Sequence, residues 1–551
     1  MSKKNSPPPK KNLPKADNSY LLDRWELSLE KCSTKWLTGT LLLSLLFSIL
    51  LFDIKISDLN DDSLYIEGGY NFAEDIHHAF TANAPLYPLI LSVPIKIFGI
   101  NLFILKSLSV LFTTLHLYIL FLAFRKRIPY LVIIPVLILL AVNSYIQYFA
   151  SLTFTESLYM LLQALFIYYF FNVLEKTKGD TSIKTTWKYW ILLGVVVFLL
   201  NFCKNIAIGA AGVVVLLLII EKRWMHLLYA IGGIAIIRVT ADMIRTVIWG
   251  NSQFASQSSL LMQVDPYNPS KGLETFSGFV QRFLDNTSLY ISKRLYQILG
   301  FISPDSTATK AGLIFITIVF FIIALIVALR NKNHYILFSI FFSLVMMALT
   351  FIVLQKQWDQ PRMILIYVPY ILIIIYYGIF QIFRKTSAGI IYILFISIFT
   401  LSSFLTTARK SADNIPKLKK NLAGDQLYGY TEDWVNMLKM SRYCADSLPE
   451  NSYVASRKAP MSFVYSGGKR FYPVYTVFST DADSVLNTFK QEKVTHIMIA
   501  SLRRNPKKID GYTINTFERL LSPVAKKYPD KLRLVKRIGE TEPTYLYEIK
   551  Y

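Results

Sequence analysis

Two adjacent acids open the part of the sequence that could carry chemistry. Asp61 and Asp62 follow the first apolar run, and the chain reads Pro85-Leu86-Tyr87-Pro88 after one further amphipathic stretch. A charged pair beside hydrocarbon is costly, so it needs a partner or a role. Adjacent side chains point in different directions, so one carboxylate can face a reaction centre while a neighbouring donor holds the other. A positioned carboxylate can take a proton from an attacking hydroxyl, which accelerates a reaction by roughly 10²–10⁴. The same pair is also a common start for a helix.

One further acid and four cations fall on the same predicted side of the chain. Glu156 begins the fourth apolar run, and the cations are Lys204, Arg245, Lys356 and Arg362. An Arg presents paired N–H donors that suit a phosphate group. Taken singly, Glu156 is a common helix-start acid, and each cation is common at a membrane interface. Their shared placement with the Asp pair is what favours a functional interpretation.

The composition is that of a membrane protein with several spans. The 551 residues are 53% hydrophobic and 17% charged, with a mean hydropathy of +0.39, whereas soluble domains are about 25% charged. The net charge of +23 lies in the tail, the short loops and the C-terminal region, and no nucleic-acid-binding module accompanies it. The sequence has neither a Walker nor a dinucleotide fingerprint, which argues against ATP-driven transport and nucleotide-sugar binding.

Eleven apolar runs each approach the ~20 residues that cross a bilayer. The block 189–221 is long enough for two shorter spans. The runs lie at about 36–53, 102–124, 129–149, 153–174, 189–203, 205–221, 224–249, 310–329, 334–354, 364–383 and 389–407. The sequence therefore predicts an α-helical polytopic membrane protein with about 11 transmembrane helices.

Basic residues in the short loops predict the orientation of these spans. With the N-terminus inside, every internal loop is basic: these loops hold Arg125-Lys126-Arg127, Lys176 to Lys188, Lys222-Arg223, Arg330 to Lys332, and Arg384-Lys385. The long segments 54–101 and 250–309 are then external, as is everything after residue 408. We expect a cytoplasmic N-terminus and an extracytoplasmic C-terminal domain.

Three regions follow from this pattern. Residues 1–35 form a basic cytoplasmic tail, residues 36–407 a transmembrane domain, and residues 408–551 a small α/β domain. Apolar residues from Ile66 to Phe80 recur at steps of three and four, which predicts an interfacial helix in the first external segment. In the C-terminal region, we predict helices at about 431–445, 481–491 and 514–528, and strands at about 453–456, 494–500, 532–538 and 544–549.

The order of these features resembles the membrane glycosyltransferases of the GT-C class. The features are the acid pair, Tyr65 with its interfacial helix, Pro85-Leu86-Tyr87-Pro88, and Phe98-Gly99. The closer resemblance is to glycosyltransferase family 39, which includes protein O-mannosyltransferases and lipid-A aminoarabinose transferases. It covers about residues 30–410 in order and hydropathy, with its sharpest motifs between 60 and 160. The resemblance implies a GT-C-like transmembrane domain, a polyprenyl-phosphate sugar donor, and an inverting single displacement with Asp61 as the base.

The resemblance also implies roles for other residues. Asp62, Glu156, Tyr65 and Tyr87 would shape the pocket or the acceptor site, and Lys204, Arg245, Lys356 and Arg362 would contact the donor phosphate. The sequence departs from the family at Asp62, where Glu is usual, and at Asn83-Ala84, where a second Pro is frequent. The Glu or His ligands that some members carry near this turn are replaced by Ala82 and Asn83. The sequence therefore leaves a divalent metal open, and it predicts no other cofactor.

The resulting hypothesis is an inverting glycosyltransferase of a bacterial inner (plasma) membrane. It would move a hexose or pentose from an undecaprenyl- or dolichyl-phosphate donor to a hydroxyl of a glycan, lipid or protein acceptor at the extracytoplasmic face. Its partners would be the donor, the acceptor and the lipid bilayer, without nucleic acid. One alternative is a transporter or flippase of lipid-linked saccharides, which predicts charges near mid-membrane and broken helices. Another is a polymerase or ligase of such saccharides, a class that lacks the early Asp pair. A noncatalytic scaffold would tolerate loss of both Asp61 and Glu156.

Overall fold

The protein is mainly helical, with a small sheet near its C-terminus. The computed structural model describes residues 20–57, 61–78, 80, 84–250, 261–266, 271–303, 306, 308–356, 358–503 and 513–551. The first part of the predicted tail, the positions Ala82 and Asn83, and parts of the segment 250–309 lie outside these ranges.

The helices follow the apolar runs of the sequence. Helices α1 to α11 cover Leu21–Lys31, Ser33–Leu50, Asp61–Glu74, Leu86–Phe98, Leu102–Phe124, Tyr130–Ala141, Ser144–Ala150, Thr155–Lys176, Ile183–Cys203, Ile208–Ile220 and Trp224–Trp249. Helices α12 to α18 cover Phe276–Leu289, Leu295–Ile298, Ala311–Arg330, His334–Val353, Arg362–Leu365, Val368–Phe383 and Gly389–Leu422. A 3₁₀ turn at Asn205–Ala207 joins α9 to α10, and a π-helical turn at Tyr290–Arg294 joins α12 to α13.

Many of these helices can cross a membrane. Among the described residues, eight helices are long and apolar enough, and the bent pair α6–α7 would make a ninth. The runs predicted at 205–221 and 364–383 correspond to shorter apolar helices, α10 with its 3₁₀ turn and α17. Each predicted run thus coincides with a helix or a helix pair. The polytopic helical fold class is confirmed.

Two predicted spans are not single straight helices. The run 129–149 bends by 61° between α6 and α7. The side chain of Asn143 accepts hydrogen bonds from the first amides of α7 and donates to the Ile298 carbonyl at 2.7 Å, so it competes with continuation of the helix. The run 364–383 is broken before α17, where Pro369 has no N–H to continue the preceding turn.

The predicted interfacial helix is displaced toward the N-terminus. Helix α3 begins at Asp61, so both acids lie in its first turn, where the helix dipole favours negative charge. The helix ends at Glu74 and does not reach Phe80, because Asp75 accepts a hydrogen bond from the His77 amide at 2.9 Å and forms a local turn. The periodicity found the helix but overstated its length.

The proline-framed segment is itself helical. Helix α4 begins at Leu86, so the Pro85-Leu86-Tyr87-Pro88 motif is the start of a second helix that packs on α3. A Cβ atom added at Gly69 would lie 2.9 Å from the Cβ of Leu91, so the glycine lets the two helices approach closely. Helices α3 and α4 therefore pack closely against each other, with both acids in the first turn of α3.

The C-terminal region is a small α/β unit. Its helices α19 to α22 cover Glu432–Ser447, Ala459–Tyr465, Ala482–Gln491 and Thr516–Lys527, and its strands β1 to β5 cover Val454–Ser456, Phe471–Pro473, His496–Ala500, Leu532–Ile538 and Thr544–Ile549. The sheet order is β2-β1-β3-β5-β4, with β1 parallel to β2 and β3, and β5 antiparallel to β3 and β4. The predicted elements are present, whereas α20 and β2 were not predicted. The last membrane helix continues to Leu422, beyond the boundary expected at residue 408.

This region holds the segment that leads to the acid pair. On α18, Asn414 donates to the Leu50 and Phe52 carbonyls at 3.1 and 2.7 Å, and Asn421 accepts from the Ile54 amide at 3.0 Å. The hydroxyl of Tyr465 on α20 accepts from the Ile56 amide at 3.2 Å. The C-terminal unit therefore fixes residues 50–57, and with them the approach to Asp61.

The opposite ends of the bundle should face opposite sides of the membrane. His78 and Lys332 are exposed in loops at the two ends of the bundle. Each can be replaced by cysteine in a chain without its three native cysteines, so that labelling of the new thiol reports on which side of the membrane the loop lies. We expect a membrane-impermeant maleimide to label His78→Cys in intact cells. Lys332→Cys should be labelled only after permeabilisation, because basic loops stay inside. Labelling of Lys332→Cys in intact cells, or protection of His78→Cys, would contradict this orientation.

Candidate active site

Asp61 is paired with an arginine from the far end of the membrane domain. The Nη2 atom of Arg362, in the first turn of α16, lies 2.5 Å from Oδ2 of Asp61. The carboxylate side chain is 40% exposed, while that of the arginine is 11% exposed. Within the described ranges, Oδ1 of Asp61 has no hydrogen-bond partner. Asp61 therefore reaches the outside with one oxygen while Arg362 orients the other.

Arg362 retains donors that these contacts do not use. Its Nε donates to Gln360 at 2.6 Å, and its guanidinium lies 5.0 Å from the ring centroid of Phe154. Burial lowers the pKa of Arg362, but the carboxylates of Asp61 and Glu156 outweigh burial and raise it. In the described part of the chain, Nη1 makes no hydrogen bond. A fixed cation with free N–H groups is suited to an anionic ligand.

The second ion pair joins Glu156 and Lys204. The Nζ atom of Lys204, just after α9, lies 2.9 Å from Oε1 of Glu156 in the first turn of α8. Glu156 is 1% exposed and Lys204 is 22% exposed. Because Arg362 also feels the charge of Glu156, the four residues form one cluster of alternating charges. Of the candidate residues in the sequence, Asp61, Glu156, Lys204 and Arg362 therefore lie together.

Two buried polar atoms in this cluster lack partners. Oε2 of Glu156 and Oγ1 of Thr153 are buried, and neither has a hydrogen bond among the described residues. An unsatisfied buried acceptor costs about 1–3 kcal/mol. For Glu156, the ion pair with Lys204 offsets part of this cost.

Asp62 points away from Asp61 and into the protein. It is fully buried and accepts hydrogen bonds from the Ser57 amide at 2.6 Å and from the Ser63 amide at 3.1 Å. Burial raises the pKa of Asp62 to about 7, although the Ser57 amide and the nearby charge of Lys106 oppose the shift. The two acids therefore have different roles. Asp62 holds the backbone at Ser57 and Ser63, and Asp61 faces outward.

The sequence interpretation missed a buried ion pair below Asp62. Lys106 on α5 is 1% exposed and donates to Oδ1 of Asp53 at 2.5 Å and to the Lys55 carbonyl at 2.8 Å. It anchors the same segment 53–57 whose Ser57 amide binds Asp62. The signal was available, because a lysine inside an apolar span calls for a partner.

The two predicted tyrosines are packing residues. The rings of Tyr65 and Tyr87 meet edge-to-face with centroids 5.6 Å apart, and the Tyr87 hydroxyl lies 3.2 Å from the Ser109 hydroxyl. Tyr65 is 6% exposed and Tyr87 is fully buried. They shape the floor below Asp61, and as positioned Tyr87 cannot touch a ligand from outside.

The C-terminal domain contributes side chains that the sequence did not point to. The Arg457 guanidinium lies 5.6 Å from the ring centroid of Tyr475, and that tyrosine is 46% exposed. Partial burial, and then the carboxylates of Glu67 and Asp61, raise the pKa of Tyr475 to about 12. Arg457 and Tyr475 therefore lie near Asp61 and Glu67. No sequence pattern predicts this contact, because Tyr475 lies about 400 positions from Asp61 and Glu67.

The other predicted cations are paired elsewhere. Arg245 lies 2.8 Å from Asp242 on its own helix, and Lys356 forms an ion pair with Asp285 on α12. Near Arg362 in sequence, Asp359 is instead held by Arg294 at 2.5 Å and by Lys293 at 3.3 Å. This second cluster fixes the loop that carries Arg362.

Metal ligands can be considered only for the described part of the chain. Within those ranges, no group of three or more His, Cys, Asp or Glu side chains is arranged to hold a metal ion. His77, just after α3, has its Nδ1 atom 3.2 Å from the Ile248 carbonyl. The charged groups of the site are the ion pairs Asp61–Arg362 and Glu156–Lys204.

Comparison with known proteins shows a shared fold. No family model and no curated protein sequence matches the chain. Among solved structures, ArnT from Cupriavidus metallidurans bound to undecaprenyl phosphate gives a TM-score of 0.56 at 11% identity, covering 93% of this chain and 98% of that one. AglB, the oligosaccharyltransferase of Archaeoglobus fulgidus, in complex with an inhibitory peptide and a dolichol-phosphate, gives 0.53 at 10% identity, covering 85% of this chain and 69% of that one.

The chain has the GT-C fold. The apo structure of the same ArnT agrees, with a TM-score of 0.54 over 94% of this chain and 98% of that one. The resemblance expected from the acid pair and the proline-framed motif is thus confirmed as a resemblance of fold. At 10–12% identity, the comparison leaves the roles of individual residues to be argued from the geometry.

Glu67 gives the stability of this region a dependence on pH. Burial raises the pKa of Glu67 to about 7, and Arg470 opposes the shift. A carboxyl group whose pKa is raised by folding favours the folded state most when the pH is below its unfolded pKa of about 4.5. This contribution is lost as the pH rises to the folded pKa of about 7. We expect Glu67→Gln to stabilise the protein by about 1–2 kcal/mol at pH 8 and by little at pH 4.5.

Thermal unfolding in detergent at both pH values measures this difference. The matched control is Asp75→Asn, an exposed acid just after the same helix, which should not change the pH dependence. Identical pH profiles for Glu67→Gln and the wild type would show that Glu67 is not dehydrated.

Proposed function

We propose that the chain is a membrane glycosyltransferase that uses a polyprenyl-phosphate sugar donor. The observation that carries the proposal is the outward-facing Asp61 carboxylate beside Arg362, next to the Glu156–Lys204 pair. The GT-C fold supports it, because solved structures with that fold were obtained with undecaprenyl phosphate and with a dolichol-phosphate. The transferred group would be a hexose or pentose, and the acceptor a hydroxyl of a lipid, protein or glycan.

The donor phosphate would bind between Arg362 and Lys204. Within the described residues Nη1 of Arg362 makes no hydrogen bond, and Lys204 is partly exposed, so both cations can donate to a phosphate. Charge-assisted bonds of this kind are the strong ones in proteins. Arg245 and Lys356 pair with Asp242 and Asp285 rather than with Asp61 or Glu156, so the proposed phosphate site consists of Arg362 and Lys204.

Donor binding would also prepare the base. With the site empty, Arg362 shares its charge with Asp61. A phosphate that draws the guanidinium toward itself would weaken that pair and leave Asp61 able to accept a proton. The ion pair would therefore keep the base inactive until a donor is present.

The chemical step follows from these positions. Asp61 takes the proton of the acceptor hydroxyl, and the hydroxyl oxygen forms a bond to the anomeric carbon. The bond between that carbon and the phosphate oxygen breaks, and its electron pair stays on the phosphate, where Arg362 and Lys204 stabilise the charge. One displacement through an oxocarbenium-like state inverts the anomeric centre.

The acceptor would approach from the side of the C-terminal domain. The charges of Asp61, Glu67 and Arg457 all act on the hydroxyl of Tyr475, so these side chains lie close together and would meet an incoming molecule. We propose that transfer occurs at the extracytoplasmic face of a bacterial plasma membrane, because the basic loops belong to the other end of the bundle.

One observation favours a second candidate. The 61° bend between α6 and α7 is a feature that a transporter of lipid-linked saccharides would predict. Flux of a labelled lipid-linked saccharide across proteoliposomes that contain no acceptor separates the two functions. A transferase gives no flux above that of protein-free vesicles.

Replacement of Asp61 tests the proposed base directly. In source cells that lack this chain, plasmid-borne wild type should restore a sugar on one class of envelope glycolipid or glycoprotein, seen as a mass difference. Asp61→Asn should reduce this product by about 100-fold or more, because it removes the proton acceptor and keeps the shape.

The matched control is Asp75→Asn, which removes an exposed acid just after the same helix. It should restore the product fully, and immunoblots should show equal amounts of all three proteins in the membrane. Full restoration by Asp61→Asn would reject the assignment of Asp61 as the base.

A further inference from the structure

A second polar cavity lies at the end of the bundle away from Asp61. It has a volume of about 700 Å³ and lies among the far ends of helices whose other ends carry the candidate active site. Helix α5 begins near Lys106 and ends just before this cavity, and α15 begins here and ends near the loop that carries Arg362. Four stretches of chain meet at the cavity: α1, the α5–α6 turn, the α14–α15 turn, and the end of α17.

Two of the five cations that line the cavity have structural partners. Arg127 donates to both carboxylate oxygens of Glu175, at 2.7 and 2.9 Å, and to the Ala123 carbonyl. Arg384 lies 2.9 Å from Asp23 on α1. These arginines hold the wall of the cavity together, so their charges are already compensated.

Three further cations have no such partner. Lys126, Arg330 and Lys385 are exposed and line the same cavity, and within the described part of the chain none of them forms an ion pair. Like charges that converge in one hollow repel each other, and an anion between them removes that repulsion. Gln381 lines the cavity as well and adds a neutral hydrogen-bonding group.

The acids of the cavity do not cancel these charges. Both oxygens of Glu26 are occupied, since they accept from the Tyr130 and Leu131 amides at 2.6 and 2.8 Å and cap the start of α6. Glu30 is exposed at the rim and opposes an anion there. The balance still favours a negative ligand.

The surface beside the cavity is apolar and faces lipid. Ile322, Ile326 and Leu329 form an exposed stripe along α14 that leads directly to Arg330, and Ile382 is exposed beside Gln381. A ligand with a phosphate at one end and hydrocarbon at the other matches both surfaces. A free anion uses only the first.

We propose that this cavity binds the phosphate headgroup of an anionic phospholipid from the adjacent leaflet. Membrane topology alone explains why the loops at this end are basic. It does not explain why three of the cations line one polar cavity beside an exposed apolar stripe, whereas binding of an anionic lipid does. The proposal is independent of the transferase function.

Lipid binding by the full-length protein tests the inference. Native mass spectrometry would compare retention of phosphatidylglycerol and phosphatidylcholine by wild type and by the triple variant Lys126→Gln/Arg330→Gln/Lys385→Gln. We expect wild type to prefer phosphatidylglycerol by about tenfold, and the triple variant to lose that preference, because the headgroup phosphate loses its cations. If the triple variant does not purify as a folded protein, the single rim substitution Lys385→Glu should reduce the preference in the same direction.

The matched control carries the same change of charge outside the cavity. It is Lys178→Gln/Lys184→Gln/Lys222→Gln, three exposed lysines in loops predicted on the same side. The control should keep the wild-type preference, and millimolar glycerol 3-phosphate should not displace the lipid. An equal loss of preference in the control, or displacement by the free phosphate ester, would overturn the proposal.

Discussion

The ion pair between Asp61 and Arg362 joins segments that lie 301 positions apart in the sequence. A cation that is 11% exposed at the mouth of an apolar bundle needs a negative partner, and Asp61 supplies it while remaining open to the outside. Glu156 and Lys204 extend the same arrangement, so four charges balance each other at this end of the bundle. Under the proposed function this balance suits a negatively charged donor, because a phosphate can replace a carboxylate as the partner of a cation.

The scaffold holds this cluster by buried polar contacts. Lys106 ties the chain before α3 to the membrane domain, the Ser57 amide binds Asp62, and Asn414 and Asn421 fix the preceding turn from α18. Removing one partner of a buried ion pair costs about 3–5 kcal/mol, so these contacts position Asp61 firmly. The C-terminal domain serves two purposes, because it anchors this segment and places Arg457 and Tyr475 near Asp61 and Glu67.

The sequence predicted the parts of this molecule that depend on local patterns. Hydropathy gave the spans, alternation and caps gave most of the C-terminal elements, and motif order predicted the GT-C fold. The end of α3 was wrong because the Asp75 turn outweighs an apolar periodicity that continues to Phe80. The partners of Arg245, Lys356 and Tyr475 depend on tertiary contacts, which no pattern within one segment contains. Lys106 was the exception, since its position within a span was itself a signal.

The most direct measurement is a structure of the protein with bound undecaprenyl phosphate, determined by electron cryomicroscopy in lipid nanodiscs. The account predicts the phosphate between Arg362 and Lys204, with its oxygens about 3 Å from the guanidinium, and Asp61 at the open side of the lipid headgroup. A phosphate bound away from both cations, with the Asp61–Arg362 pair unchanged, would contradict it.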